Sequence, residues 1–151
     1  MIVALLIGRE GSSGFPGKNT YPVLGRPLVA YPLIAAAGAS SVDRIYVSTD
    51  SPRVKQIALE YGASVIDRPA HLASSTALGE HAFVHGYEVI RDSLAKSGSA
   101  IDFVVLLFAN AATVTSVIIE EGIATLRAHA DYDSAVSVSR YNMWSPLRAR
   151  R

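Results

Sequence analysis

A glycine-rich segment near the amino terminus carries the residue types that bind phosphate. It reads Arg9-Glu10-Gly11-Ser12-Ser13-Gly14-Phe15-Pro16-Gly17-Lys18-Asn19. Glycines at three-residue spacing allow tight turns whose N–H groups point inward, and such a nest binds anions. Arg9 and Lys18 add positive charge at the two ends. The hydroxyls of Ser12 and Ser13 add hydrogen-bond donors. The segment therefore predicts a site for a phosphate-rich ligand.

Two well-known phosphate-binding loops do not match this segment. The P-loop pattern needs a glycine five residues before Gly17-Lys18 and a Ser or Thr after it, where this chain has Ser12 and Asn19. The dinucleotide fingerprint needs Gly-x-Gly-x-x-Gly opening directly into a helix, and both the spacing and the following loop differ here. The alternative is an ordinary surface loop that uses glycine for its turns. The charge of the segment and its place after a strand favour phosphate binding.

Strand-like and helix-like segments alternate along the chain and would position this loop. Apolar runs predict strands over residues 2–7, 44–48, 64–66, 103–107 and 134–139. Helical patterns occupy residues 28–40, 52–61, 77–95 and 117–129. Alternation at this spacing implies parallel pairing through crossover helices. We therefore predict an α/β fold with a mostly parallel sheet of about five strands and helices on both faces.

Proline and serine positions predict where two helices begin. Pro27 is expected at the first position of the helix over 28–40, with Pro32 in its first turn. Ser51 is expected to cap the next helix, with Pro52 at its first position. Asp50 lies at the carboxyl end of a strand, where ligands bind in open α/β sheets, but a role in the helix start is favoured.

Composition sets the class of the protein. The chain has 151 residues, the length of one domain of about 100–200 residues. Half of the residues are hydrophobic and 18% are charged, with a net charge of +1 and no cysteine. Disordered chains, disulfide scaffolds and strongly basic nucleic-acid or membrane binders are thereby excluded. The opening apolar run is shorter than the ~20 residues of a membrane span and lacks the features of a signal peptide, so a cytoplasmic protein is expected.

Several sequence blocks occur together in a recognisable order. They are Arg9-x-Gly-Ser-x-Gly-x-x-x-Lys18-Asn19, Leu24-Gly25-x-Pro27-Leu28, Val47-Ser48-Thr49-Asp50-Ser51, Tyr61-Gly62-Ala63 and Arg68-Pro69-x-x-Leu72-Ala73. In this order the chain resembles the acylneuraminate cytidylyltransferases, which are the CMP-sialic acid synthetases and their relatives. The match extends from residue 2 to about residue 139. The resemblance implies a three-layer, Rossmann-like fold of the nucleotide-diphospho-sugar transferase type over residues 1–140.

The resemblance also implies an activity and a set of site residues. Members of this family transfer CMP from CTP to an acidic sugar with release of pyrophosphate, and they use magnesium. By position, Arg9 and Lys18 resemble the family's catalytic phosphate ligands, and Asn19 resembles a contact to the ribose or the base. Arg68 resembles the arginine that helps to read cytosine, although Asp67-Arg68-Pro69 alone would be read as a charged turn. Four loop residues complete the implied nucleotide site: Gly11, Ser12, Ser13 and Gly14.

This chain departs from the family pattern in three places. Ser13 stands where the family loop has a lysine that stabilises developing charge. Phe108 stands where relatives have a glutamine that hydrogen-bonds the sugar, which leaves Asn110 and Thr113 as polar candidates for acceptor binding and makes plain sialic acid an unexpected acceptor. The family's metal-binding aspartates lie in a later strand, beyond Arg151. Magnesium is therefore expected to arrive with CTP, and no residue of this chain is predicted as a metal ligand.

For a histidine pair and for the carboxyl-terminal tail, we favour interpretations that involve no catalytic chemistry. His81 and His85 stand four residues apart on a predicted helix, but without a third ligand they are expected to be packing or surface residues. Residues 141–151, which include Tyr141, Trp144 and several arginines, form a tail in which aromatic and arginine residues suggest an interface. In the resembling family this region begins the segment that reaches a dimer partner. We expect a homodimer whose tail starts a truncated carboxyl-terminal segment.

Two other functions fit the same sequence. One is a nucleotidyltransferase that uses another base or another sugar. The other is a nucleotide-binding or scaffold protein with impaired catalysis, which Ser13, Phe108 and the absent aspartates would favour. A comparison of CTP with UTP, GTP and ATP separates the first from a cytidylyltransferase, and binding without turnover identifies the second.

Overall fold

The computed structural model describes residues 1–11, 14–74 and 76–138. In chain order, the elements are β1 (Ile2–Ile7), a 3-10 helix (Lys18–Thr20), β2 (Pro22–Val23), β3 (Arg26–Pro27), α1 (Ala30–Ala37), β4 (Arg44–Thr49), α2 (Pro52–Glu60), β5 (Ser64–Asp67), α3 (Ala70–Ala73), α4 (Gly79–Ala95), β6 (Phe103–Phe108) and α5 (Ser116–Ala128). Within these residues the main sheet has the order β5-β4-β1-β6, and β2 and β3 form a separate antiparallel pair. The predicted α/β class is confirmed.

Strand β1 lies in the middle of the main sheet and is buried along its whole length. It pairs in parallel with β4 on one side and with β6 on the other. The register places Ile7 beside both Ser48 and Phe108, so the carboxyl ends of three strands meet at one edge. This edge is where open α/β sheets bind their ligands.

Helices cover both faces of the sheet, as predicted. On one face, the even-numbered residues of β1 belong to a core with residues of α1, α2 and α5. On the other face, Val3 and Leu5 pack with Ile90 and Leu94 of α4. Gly86 allows α4 to approach the sheet closely, because a Cβ there would lie 2.8 Å from Leu5 Cδ2. Burial of each such aliphatic side chain contributes about 1.5–3 kcal/mol.

The fifth predicted strand is wrong over the residues that can be assessed. Residues 134–138 form no strand, and the exposed fractions of Val136 and Val138 are 78% and 90%. The β-branched composition favours a strand, but an isolated segment needs a neighbouring strand to satisfy its backbone hydrogen bonds. Residue 139 and the predicted tail at 141–151 lie outside the described residues.

The predicted start of the first helix is also wrong. Pro27 pairs with Pro22 in the β2–β3 ribbon, and α1 begins three residues later. The N–H of Leu28 donates to the Tyr21 carbonyl, and the N–H of Val29 donates to the Asn19 carbonyl. These bonds tie residue 29 to the end of the glycine-rich loop and residue 28 to Tyr21 just after it, ahead of the first residue of α1. Pro32 does fall in the first turn, as predicted.

A cluster of polar side chains joins α5 to the turn after α1. Glu120 Oε1 accepts from the Ser41 N–H at 2.7 Å, and Glu120 Oε2 accepts from the Ser41 hydroxyl at 2.7 Å. The Ser40 hydroxyl donates to Oε1 at 3.1 Å. The hydrogen bonds from Ser41 lower the pKa of the Glu120 carboxyl.

In the described part of the chain, no helix is long and apolar enough to cross a membrane.

Candidate functional site

A cavity of about 310 Å³ opens at the carboxyl ends of β1 and β6. This volume is at the lower end of the range of about 300–1,000 Å³ that ligand pockets occupy. Its lining comes from four parts of the chain: Ile7, Gly8, Arg9, Gly14, Lys18, Asn19, Arg68, Leu72, Ala77, Leu78, Gly79, Ala82, Phe108, Ala109 and Asn110. The fold thus brings the glycine-rich loop, the Arg68 block and the end of β6 to one place.

The start of the glycine-rich loop is fixed by close backbone packing. A Cβ on Gly8 would lie 2.6 Å from Ala109 Cβ and 3.4 Å from Asn19 Nδ2, so only glycine fits between the loop and the end of β6. Asn19 is buried, and its Nδ2 donates to the carbonyl of Arg9 at 3.1 Å. Gly17, with φ 72°, turns the chain into the short helix that carries Lys18 and Asn19. The two ends of the loop are therefore held together at the cavity.

Arg9 connects the loop to the segment between α3 and α4. Its Nη1 donates to the carbonyl of Ser74 at 2.6 Å. The same segment supplies Ala77 and Leu78 to the cavity lining. Arg9 thus holds one wall of the cavity in place when no ligand competes for its guanidinium.

Arg68 follows β5 and is buried against the end of β4. Its Nε donates to Ser48 Oγ at 3.3 Å, and its Nη2 donates to the Ser48 carbonyl. Burial lowers the pKa of the Arg68 guanidinium, the nearby Asp50 carboxylate opposes this shift, and Arg9 adds to it. An arginine remains charged at any physiological pH despite such a shift. Arg68 is therefore a positioned, partly desolvated cation in the cavity wall.

Asp50 has a different role from the one predicted. The Ser51 side chain, not Asp50, caps α2 by accepting from the Val54 N–H. Asp50 Oδ1 accepts from the N–H of Glu10 at 2.9 Å. The carboxylate thus ties the end of β4 to the glycine-rich loop, because the loop passes directly over this sheet edge.

The cavity lining contains three cationic side chains. Arg9, Lys18 and Arg68 all line the cavity, whereas no aspartate or glutamate of the described ranges does. Among the residues that the structure describes, none of these three cations has a carboxylate within 4.0 Å. A group of cations without acidic partners favours an anionic ligand. We call this group, together with Asn19, the cationic half.

Another part of the cavity lining is apolar. We define the apolar half as Leu72, Ala77, Leu78, Ala82 and Phe108. The ring of Phe108 meets the ring of Phe83 from α4 edge to face, with centroids 5.4 Å apart and an interplanar angle of 79°. Asn110 follows β6 and adds a polar group beside this wall. One cavity therefore presents both cationic and apolar side chains.

The structure brings most of the predicted site residues together. Arg9, Gly14, Lys18, Asn19, Arg68 and Asn110 all line the cavity. Gly11 and Thr113 are exposed and do not belong to its lining. Ser12 and Ser13 lie outside the described residues, so the phosphate nest remains a prediction. The individual roles of these residues also remain predictions.

Sequence reasoning misses two contributors to the cavity. From the sequence, Gly8 is recognised only as the residue that ends the first strand. Its tight fit against Ala109 is a contact between residues about 100 positions apart in the chain. From the sequence, residues 77–79 are predicted only as the start of a helix. In the structure α4 begins at Gly79, and Ala77 and Leu78 before it line the cavity. Leu72 could be found from its place in the Arg68 block.

The described residues do not fit a protein-held metal site. In the ranges 1–11, 14–74 and 76–138, no group of three or more His, Asp or Glu side chains could hold a metal ion. His81 and His85 share a helix but have no third ligand in these ranges. That no residue of this chain is a metal ligand stays a prediction.

Comparisons with known proteins identify the family. A family described as cytidylyltransferase matches residues 3–135. The CMP-N,N'-diacetyllegionaminic acid synthase of Legionella pneumophila is 45% identical over 64 residues, which are 42% of this chain and 28% of that protein. The 8-amino-3,8-dideoxy-manno-octulosonate cytidylyltransferase of Shewanella amazonensis is 33% identical over 131 residues, covering 85% of this chain and 49% of the relative. The chain spans about half or less of the length of these relatives.

Solved structures show the same fold. A CMP:2-keto-3-deoxy-manno-octonic acid synthetase complexed with CTP superposes with a TM-score of 0.64 at 21% identity, over 86% of this chain and 48% of that one. A cytidylyltransferase from Leptospira borgpetersenii gives 0.65 at 19% identity, over 86% and 50%. Rv0371c of Mycobacterium tuberculosis in complex with manganese gives 0.53 at 16% identity, over 83% and 59%. These structures show the shared fold, and the match over residues 3–135 shows that the chain belongs to the cytidylyltransferase family.

Proposed function

We propose that this chain binds CTP and transfers CMP to a hydroxyl group of an acidic sugar, with release of pyrophosphate. The observation that carries the proposal is the cationic half of the cavity, where Arg9, Lys18 and Arg68 meet without a carboxylate in the lining. Family membership supports the choice of CTP, and relatives named for acidic sugars support the acceptor class.

The proposed reaction is a single displacement at the α-phosphorus of CTP. The acceptor oxygen forms a new bond to this phosphorus, its proton passes to solvent, and the bond to the β-phosphate oxygen breaks. Negative charge then grows on the departing pyrophosphate. Arg9 and Lys18 stabilise that charge electrostatically, because they are positioned before the reaction begins.

The proposed base site uses Arg68 and Asn19. Two nitrogens of Arg68 are occupied by Ser48, and among the described residues its Nη1 has no hydrogen-bond partner. This nitrogen can donate to an acceptor atom of cytosine. Asn19 donates to the Arg9 carbonyl through Nδ2, which leaves its amide oxygen to accept from a base amino group or a ribose hydroxyl. Cytosine offers both kinds of partner, and the choice of CTP over UTP is supported by family membership.

In this proposal, magnesium binds together with the nucleotide. The phosphates of CTP carry the oxygen ligands that magnesium prefers. Because the described residues do not fit a metal site of their own, we derive no step of the reaction through the ion.

Two measurements test the proposal together. Thermal-shift assays with CTP, UTP, GTP and ATP should show the largest stabilisation with CTP. Pyrophosphate release with CTP and a panel of acidic sugars should then show turnover. Stabilisation by CTP without pyrophosphate release would favour the rival function of a nucleotide-binding protein with impaired catalysis. Equal stabilisation by the four nucleotides would contradict the assignment of the base site.

We also propose that the protein acts in the cytoplasm as a homodimer. The aromatic and arginine residues at 141–151 support an interface, and their structure lies outside the described residues. Sedimentation of the full chain at micromolar concentration should give a dimer. A monomer at all concentrations would contradict this part of the proposal.

A further inference from the structure

Two aspartates join the two ends of β4 to β1 and its continuation through the same kind of hydrogen bond. At the amino end, Asp43 Oδ2 accepts from the Ile2 N–H at 2.7 Å. At the carboxyl end, Asp50 Oδ1 accepts from the Glu10 N–H at 2.9 Å. Both bonds join a carboxylate to a backbone amide, but only the second lies at the sheet edge where the cavity opens. The pair therefore separates what such a bond does for the fold from what it does for the cavity.

The bond of Asp50 replaces one step of the hydrogen-bond ladder between β1 and β4. Beyond the end of β1, the Gly8 N–H still donates to the Ser48 carbonyl at 3.2 Å. In a parallel ladder, amides two residues apart bond to carbonyls two residues apart, so the Glu10 N–H would next meet the Asp50 carbonyl. The Asp50 side chain accepts instead. The glycine-rich loop thus leaves the path of the strand at a point that the Asp50 side chain fixes.

Arg9 lies between the two anchored amides. Gly8 and Glu10, on either side of it, are bound to the end of β4. The carbonyl of Arg9 itself accepts from Asn19 Nδ2 at 3.1 Å. These hydrogen bonds fix the backbone from which the guanidinium reaches the cavity lining. A backbone held in this way orients the Arg9 side chain before a ligand arrives, and electrostatic stabilisation depends on such positioning.

The charge of Asp50 has a second effect, which opposes the first. Burial lowers the pKa of the Arg68 guanidinium, and the nearby Asp50 carboxylate counteracts this shift. Asp50 does not line the cavity, and it forms no ion pair within 4.0 Å among the residues that the structure describes. Its negative charge repels an anion in the cavity, whereas its hydrogen bond prepares Arg9 for one. A neutral acceptor at the same place would keep the hydrogen bond and remove the repulsion.

Resting on the proposed function, we infer that Asp50 is a positioning residue for the phosphate groups of the nucleotide and that it acts through Arg9. It fixes the Glu10 amide, and hence the Arg9 backbone, so that the guanidinium is directed at the phosphates. This role is separate from the capping of α2, which Ser51 performs.

The test compares two substitutions that remove the same charge. Asp50→Asn keeps a side-chain oxygen that can accept from the Glu10 N–H, whereas Asp50→Ala has no acceptor. Isothermal titration calorimetry with inorganic pyrophosphate probes the phosphate part of the site alone. The Kd of Asp50→Ala should be roughly fivefold higher than that of Asp50→Asn, the scale of one net hydrogen bond. Asp50→Asn itself should bind pyrophosphate at least as tightly as the wild type, because the opposing charge is gone.

A double-mutant comparison shows whether the effect passes through Arg9. In an Arg9→Ala background, the two Asp50 variants should bind pyrophosphate equally. Asp43→Ala is the matched control, because it removes the same kind of bond at the other end of β4. It should lower the urea midpoint of unfolding and leave the Kd for pyrophosphate unchanged. Equal Kd values for Asp50→Ala and Asp50→Asn, or a difference that persists without Arg9, would overturn the inference.

A third substitution, Asp50→Glu, decides the question if Asp50→Ala does not fold. It keeps the charge but moves the carboxylate by one methylene group relative to the Glu10 amide, so the Kd for pyrophosphate should rise. An unchanged Kd would count against the role of Asp50.

Failure of the inference can be told apart from failure of the proposed function. If pyrophosphate binds but CTP and acidic sugars give no pyrophosphate release, the transfer proposal fails, and the ratio of the two Kd values still decides the role of Asp50. If transfer occurs and the two variants bind pyrophosphate equally, only the inference fails. A wild type that does not bind pyrophosphate would overturn both.

Discussion

The cationic half of the cavity is held by hydrogen bonds, whereas the apolar half is held by packing. Arg9 reaches the Ser74 carbonyl, Arg68 is bound to Ser48, and Asn19 fixes the backbone of Arg9. Phe108, by contrast, contacts a second ring. Hydrogen bonds define direction closely, and packing defines shape. The first half therefore suits a ligand group of fixed chemistry, such as a triphosphate, and the second suits a group that differs among relatives.

Removal of a charge from the cationic half should have the largest effect. Arg9→Ala and Lys18→Ala should each weaken CTP binding by about 10- to 100-fold, because a hydrogen bond to a charged group contributes about 1.5–3 kcal/mol. Isothermal titration calorimetry measures the change in Kd. Arg53→Ala is the control, since Arg53 bonds only to Gln56 on the surface of α2 among the described contacts. An unchanged Kd in both cavity variants would contradict the assignment of this half.

Gly8→Ala should disturb both halves at once. The added Cβ would lie 2.6 Å from Ala109 Cβ and 3.4 Å from Asn19 Nδ2, so the loop and the end of β6 must separate. Such overpacking costs about 1–3 kcal/mol of stability. Urea denaturation should show this loss, together with weaker CTP binding. Gly122→Ala on α5 meets no atom within 4 Å and should be neutral or slightly stabilising. Wild-type stability in Gly8→Ala would show that the two halves are not coupled through this contact.

Removal of the ring behind Phe108 should have a smaller effect on the apolar half alone. Phe83→Leu keeps an apolar side chain but loses the edge-to-face contact, which contributes about 0.5–1.5 kcal/mol. The KM for the acceptor should rise by a few-fold, while the Kd for CTP stays as in the wild type. A change in CTP binding instead would mean that the halves do not act separately. Steady-state kinetics with the acceptor varied at saturating CTP measures the effect.

Glu120→Gln should affect neither half and should give the smallest change. The hydrogen bonds from Ser41 lower the pKa of Glu120, so the ionised carboxylate stabilises the fold at neutral pH. This contribution is complete above the ordinary glutamate pKa of about 4.3 and is lost as the pH falls through the lowered value. The melting temperature of the variant should be slightly lower at pH 7 and should approach that of the wild type in acid. A difference that grows in acid would contradict the direction of the shift.

The two halves also differ in how far the sequence reveals them. The sequence predicts the cationic half, because glycines flanked by positive charges mark a phosphate-binding type of loop. Its predicted members all line the cavity: Arg9, Lys18, Asn19 and Arg68. The sequence does not reveal that the residues of the apolar half line a cavity, because leucine and phenylalanine occur with the same spacing in a buried core and in a pocket wall. Phe108 could be singled out only as a departure from the resembling family.

The sequence by itself determined the alternation of strands and helices, the Ser51 cap and the cations of the loop. These depend on local periodicity and on side-chain chemistry within a few residues. The tertiary structure decided that Pro27 pairs in a ribbon, that Asp50 holds Glu10 and that Gly8 meets Ala109. Each of these is a contact between segments, two of them far apart in the chain. Their partners are chosen when the helices pack on the sheet, and that choice leaves no periodic trace in the sequence.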